Sequence, residues 1–129
     1  MNIGEAAKAS GVPAKTIRYY ESVNLIPPAH RTDSGYRTYE PADIERLRFI
    51  QRSRSLGFSV RDVGKLLDLW NDRSRASAEV KALATSHMTE IDQKIAELRS
   101  MRKTLKDLSE HCHGDDRPDC PILDGLAGG

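Results

Sequence analysis

The sequence predicts a mainly α-helical chain in three parts: a compact basic domain of short helices, one long helix, and a short loop bounded by the only two cysteines. Three observations predict it. From about Ser77 to His111 the chain runs without Gly or Pro, and Val80, Ala84, His87, Ile91, Lys94, Leu98, Met101, Leu105 and Leu108 recur at alternating steps of four and three. That alternation is the apolar seam of a coiled coil. Residues 1–76 carry 13 Lys and Arg against 9 Asp and Glu, whereas residues 77–129 carry 7 against 10, so the net charge of +1 conceals a basic first half. Beyond the long helix, Cys112 and Cys120 close a short acidic stretch.

Ile3 to Ser10 reads as a first helix with Ile3, Ala6 and Ala7 inward and Gly11 as its left-handed stop. Val12-Pro13 opens a second helix, with Pro at or near its first position, that runs through Lys15 and Glu21 to about Asn24. Two short helices joined by a few residues that include Gly make a helix-turn-helix, whose second helix enters the DNA major groove. Lys15 and Arg18 share one face of that helix. Arg18 is the candidate for a bidentate contact to guanine and Lys15 for phosphate or guanine. Tyr19 and Tyr20 belong to the same candidate DNA-binding set.

Pro27-Pro28 ends this unit. His30-Arg31-Thr32 and Tyr36-Arg37-Thr38-Tyr39 are β-prone segments about the turn Asp33-Ser34-Gly35 and pair as a hairpin, which reads as a wing. Arg31 and Arg37 would face phosphates, and Tyr36 would offer its hydroxyl to the DNA backbone. A third helix runs from Pro41 to about Leu56, with Ile44, Leu47 and Ile50 inside and Arg46, Arg48, Arg52 and Arg54 outside; Arg54 is the one assigned to phosphate. Gly57 breaks it. Ser59-Val60-Arg61-Asp62 resembles a capping box, and a fourth helix packs Val60, Val63, Leu66, Leu67 and Trp70. The expected organisation is a winged helix-turn-helix DNA-binding domain at 1–70, a hinge at 71–76, a dimerisation helix at 77–111, and a loop with a short C-terminal helix at 112–129.

At a rise of roughly 1.5 Å per residue the long helix would span about 45 Å, more than so small a domain can cover. It therefore takes a partner, most simply a second copy. His87 and Lys94 interrupt the seam with polar groups that lower stability and fix register. No apolar run reaches the roughly 20 residues of a membrane span, and Met1-Asn2-Ile3-Gly4-Glu5 lacks signal-peptide organisation. The expected location is cytoplasmic, without a membrane partner. In a reducing compartment two cysteines are better explained by reactivity or metal binding than by a structural disulfide.

Two thiolates are soft ligands that favour Cu(I) and its heavier relatives, and a pair suits a linear site for a monovalent ion. Zn²⁺ prefers four ligands, which His111 and His113 would complete, and a thiol redox switch is a third reading. Asp115, Asp116 and Asp119 are hard carboxylates assigned to solvent or turn caps. Ile122, Leu123 and Leu126 form a short apolar patch able to dock on a partner's reading domain. Cys112 and His113 as nucleophile and base lack an orienting third residue and an oxyanion hole, so no enzyme is expected.

The segments Ile3-Gly4-Glu5-Ala6-Ala7, Thr16-Ile17-Arg18-Tyr19-Tyr20-Glu21, Leu25-Ile26-Pro27, Gly35-Tyr36-Arg37-Thr38-Tyr39 and Leu56-Gly57-Phe58 resemble the winged-helix DNA-binding domain of the MerR family of transcriptional regulators. The resemblance covers nearly the whole chain, and the loop from Cys112 to Leu123 is similar to that of the family's Cu(I)-sensing copper efflux subgroup. It implies an antiparallel homodimer through the long helix, with His87 near Met101 and Lys94 near its own copy. It also implies a promoter whose geometry the dimer distorts so that RNA polymerase at the same promoter engages both its elements. Cu(I), with Ag(I) or Au(I) as substitutes, would be the effector at Cys112 and Cys120. Divalent-ion sensors of the family carry a Cys where this sequence has Ser77, whose hydroxyl is a good N-cap and a poor soft ligand. Many copper-type relatives continue with further Cys or His residues, so no second metal-binding tail is expected after Gly128-Gly129.

Overall fold

The first helix is set by its cap: the Asn2 side chain accepts from the Glu5 N–H at 2.8 Å, and the Asn2 N–H donates back to Glu5 Oε1 at 3.1 Å. This reciprocal box satisfies two donors that a helix start leaves open. The computed structural model describes residues 1–112, 114–115, 118 and 120–128. The chain divides into two units, Met1–Val80 and Lys81–Gly129.

In the first unit, α1 spans Ile3–Ser10 and stops at Gly11, whose φ of 79° is the left-handed conformation that Gly adopts without strain. The next helix, α2, spans Ala14–Ser22. Pro13 is its cap rather than its first residue, and Val12 lies in the core, 1% exposed. It ends short of the expected Asn24 because Asn24 turns to a φ of 60°, which a right-handed helix cannot contain.

The wing is the antiparallel pair β1 (His30–Arg31) and β2 (Arg37–Thr38), with His30 opposite Thr38 and Arg31 opposite Arg37. Its tip closes where the Gly35 N–H donates to the Thr32 carbonyl and the Thr32 N–H to the Tyr36 carbonyl, each at 2.8 Å. At its base the Tyr39 N–H donates to the Met1 carbonyl at 2.7 Å, which ties the wing to the start of α1.

Pro41 occupies the first turn of α3 (Pro41–Ser55), where its missing N–H costs nothing. Ile44, Leu47 and Ile50 are buried along one side of it, as their spacing predicts. Gly57, at φ 88°, turns the chain, and Ser59 Oγ accepts from the Asp62 N–H at 3.1 Å to start α4 (Val60–Asn71). Val63 and Leu67 of α4 complete the core with Ala6, Ile17 and Ile26. Trp70 does not: it is 41% exposed and stacks on Phe49 of α3.

The long helix α5 spans Ser77–Glu110, and none of its residues is buried. Ile91, Leu98, Met101 and Leu105 of the seam are exposed, together with Met88 and Ile95 beside it. In the second unit a short helix, α6 (Pro121–Leu126), rests on the end of α5: a Cβ on Gly125 would fall 2.5 Å from Leu108 Cδ2 and 3.3 Å from its Cγ. A residue with a Cβ there would require the Leu108 side chain to shift.

Candidate nucleic-acid interface and thiol loop

Along α2 the side chains sort by helical period. Ile17 and Tyr20, three apart, take the inner face at 0% and 5% exposure, whereas Lys15, Arg18 and Tyr19 lie exposed on the outer one. Tyr20, of the candidate DNA-binding set, thus has its ring in the core.

Arg18 of α2 and Arg31, Gly35, Tyr36 and Arg37 of the wing line one cleft of about 380 Å³ with Asn2 and Ile3. Three guanidinium groups converging on one concave surface create a positive field suited to phosphate oxygens. Tyr36 stands at the tip, 73% exposed. Arg31 donates through Nη1 to the Gly35 carbonyl at 2.9 Å, which braces the hairpin turn. Arg37 Nε lies 3.2 Å from Glu21 Oε2, so the second strand of the wing is joined to α2 by an ion pair.

Glu21 is the member of this site that sequence reasoning did not single out. Its partner lies 16 residues away, and no periodicity links a helix end to a strand beyond a turn. The Tyr39 phenol beside the pair is 3% exposed, and its hydroxyl has no hydrogen-bond partner among the described residues. Burial, and then the Glu21 carboxylate, push its pKa above the ordinary tyrosine value.

Three arginines of α3 have partners within the domain. Arg54 donates through Nη1 to the Phe58 carbonyl at 2.7 Å and so clamps the turn between α3 and α4. Arg48 gives Nε and Nη2 to the Ala9 carbonyl at 3.2 and 3.1 Å, linking α3 to the end of α1. Arg46 pairs with Asp43 at 3.1 Å.

In the second unit, Cys112 follows the end of α5 and donates its N–H to the Ser109 carbonyl at 3.1 Å. Cys120 caps α6, its carbonyl accepting from the Asp124 N–H at 3.1 Å. Both thiols are free and half-buried. His111 Nδ1 sits 2.6 Å from the Asp107 carbonyl and donates to it. His113, Asp116 and Asp119 lie outside the described residues. Among the described residues no three His, Cys, Asp or Glu side chains converge. Ser77 is the exposed first residue of α5 rather than the cap before it. Among the described residues no helix is long and apolar enough to cross a membrane.

A helix-turn-helix backed by a hairpin, with basic side chains exposed on the second helix and on the wing, defines a winged-helix DNA-binding protein. Family models described as "MerR HTH family regulatory protein" and "MerR, DNA binding" match residues 1–70 and 44–108. The chain belongs to the MerR family of helix-turn-helix transcriptional regulators; it is a regulator and not an enzyme. It is 59% identical over its whole length to the heavy metal-dependent transcription regulator 2 of Rhizobium meliloti (strain 1021), covering 88% of that protein. It is 43% identical to the HTH-type transcriptional regulator CueR of Salmonella typhimurium, over 99% of this chain and 93% of that one. Among solved structures it is similar to the lead(II)-bound transcription regulator of Ralstonia metallidurans CH34, with a TM-score of 0.84, 32% identity and 98% of each chain covered. It is also similar to the mercury(II)-bound MerR of Bacillus megaterium MB1, at 0.74 and 33%, over 98% of this chain and 99% of that one.

Proposed function

We propose that this protein is a cytoplasmic, metal-responsive transcriptional activator that senses monovalent copper through Cys112 and Cys120 and controls metal-efflux or detoxification genes. Ag(I) and Au(I) accept the same two thiolates and would act as substitutes. The observation that carries the reading is the thiol pair itself: two free, half-buried cysteines bracket one short loop between α5 and α6. Soft sulfur donors fit a soft monovalent ion and leave hard ions to oxygen ligands. Ser77, at the position where divalent sensors of the family hold a further Cys, supplies no third soft donor. The names of the similar proteins, with a heavy metal, lead(II) or mercury(II) in them, support metal response as the general class.

DNA is read by Lys15, Arg18 and Tyr19 of α2, while Arg31, Tyr36 and Arg37 of the wing hold the phosphate backbone, together with Arg54, whose Nη1 alone is used by the Phe58 carbonyl. The exposed apolar row of α5 supports a homodimer through that helix, since an uncovered row of Ile, Leu and Met is unfavourable in water. Cu(I) biases a two-state equilibrium of the dimer on its promoter, and the altered twist and bend bring the promoter elements into line for RNA polymerase.

Chelator-buffered titration of the reduced protein with Cu(I) and with Zn²⁺ tests the reading. Tight Cu(I) binding that vanishes in Cys112→Ser and Cys120→Ser supports it. Tight Zn²⁺ binding with weak Cu(I) binding refutes it in favour of a four-ligand site.

A further inference from the structure

We infer that Glu21 is a positioning residue for DNA binding: by holding Arg37 Nε, its carboxylate fixes the wing against α2 and leaves both Arg37 Nη groups to meet a phosphate at the cleft. The inference rests on the proposed role of Arg37 as a backbone contact.

Glu21 is an acidic residue at the end of the DNA-reading helix, where an unpaired carboxylate would repel phosphate. Its side chain is only 13% exposed and Arg37's 28%, and the two are 3.2 Å apart, so the negative charge is neutralised by the wing. Charge-assisted bonds of this kind are strong and directional. The bond uses Nε alone, and among the described residues neither Nη atom has a hydrogen-bond partner. Arg37 lines the same cleft as Arg18 and Arg31. The wing needs such a strut because its sheet is two residues on each strand, too short to hold an angle by its own ladder. Tyr39 lies buried near the pair, its pKa raised first by burial and then by the Glu21 carboxylate.

The sign of one substitution separates this role from plain electrostatics. Removing a carboxylate that merely faces DNA strengthens binding, whereas removing one that positions Arg37 weakens it. Affinity of the full-length protein for its promoter duplex is measured against salt for Glu21→Ala, Glu21→Gln, Arg37→Ala and the double variant Glu21→Ala/Arg37→Ala. Glu21→Ala is expected to lose on the order of tenfold in affinity, the scale of one hydrogen bond to a charged group. Its salt slope should fall by about 0.9, the value for one phosphate that the protein no longer neutralises. Glu21→Gln keeps an oxygen acceptor for Nε and should stay near wild type, and in the Arg37→Ala background Glu21→Ala should cost nothing more. Tighter binding by Glu21→Ala, or an equal loss with and without Arg37, overturns the inference while the phosphate role of Arg37 stands. An Arg37→Ala variant with unchanged affinity and slope overturns both. Thermal melting of each variant identifies a loss of fold; should the Ala variant unfold, tighter binding by Glu21→Gln, which removes the charge and keeps the acceptor, overturns the inference.

Discussion

The rings of Phe49 and Trp70 lie with their centroids 4.5 Å apart and their planes within 8° of parallel. This stack joins α3 to α4 at the surface. Trp70 is the only tryptophan of the chain, so its fluorescence reports this one contact. Phe49→Ala should shift its emission to the red and lower stability by about 0.5–1.5 kcal/mol beyond the effect of the smaller buried area, as for other aromatic pairs. An unchanged spectrum would show that the rings do not stack in solution.

Arg18 stands exposed on α2, in the cleft it lines with the wing. Arg18→Ala should cost about 1–3 kcal/mol on the promoter sequence and far less on random duplex. Equal losses on both would reassign it to the backbone.

Replacing Cys112 or Cys120 with Ser exchanges a soft donor for a hard one at the same size. Each variant should still bind promoter DNA and should lose copper-induced transcription. X-ray absorption of the copper-loaded wild type should show two sulfur neighbours; four mixed nitrogen and sulfur neighbours would speak for the zinc-type site.

Gly125 lets α6 approach Leu108 closely, and an alanine there meets three atoms of the Leu108 side chain within 3.3 Å. Gly125→Ala should displace α6 and move Cys120, its cap, so Cu(I) affinity should drop although neither ligand has changed. NMR shifts of the Leu108 methyl groups check the displacement independently. Unaltered shifts together with unaltered affinity would show that this approach does not hold the loop.

Asp72 accepts from Ser74 Oγ at 2.6 Å and from the Ser74 N–H at 2.9 Å in the turn between α4 and α5. The Ser74 side chain first, and then its backbone, hold the carboxyl below the ordinary value of 3.8. A folded pKa below the unfolded one means that the turn's contribution is present above the unfolded value and lost as pH falls through the folded one. An NMR titration should place the Asp72 midpoint below 3.8, and Ser74→Ala should return it toward that value.

Most of the helices could be read from the sequence, because each is written in neighbouring residues. The Gly11 stop, the Pro41 start, the Gly57 break and the spacing of Ile44, Leu47 and Ile50 are local signals, and the structure carries each of them out. A boundary slipped where a single backbone angle decided it, as at Asn24. The candidate interface was legible as a set of basic residues on α2 and the wing. Which of them are already engaged was not.

By itself, then, the sequence determined the order of elements, the basic reading half, the uncovered apolar seam and the lone pair of thiols, since composition and period act over a few residues. Tertiary structure alone decided that Tyr20 is core, that Trp70 leaves the core for Phe49, and that Glu21 holds Arg37. The physical reason is the same in each case. A side chain capable of two roles takes the one its distant neighbours leave open, and those neighbours are fixed only when the helices and the wing have packed.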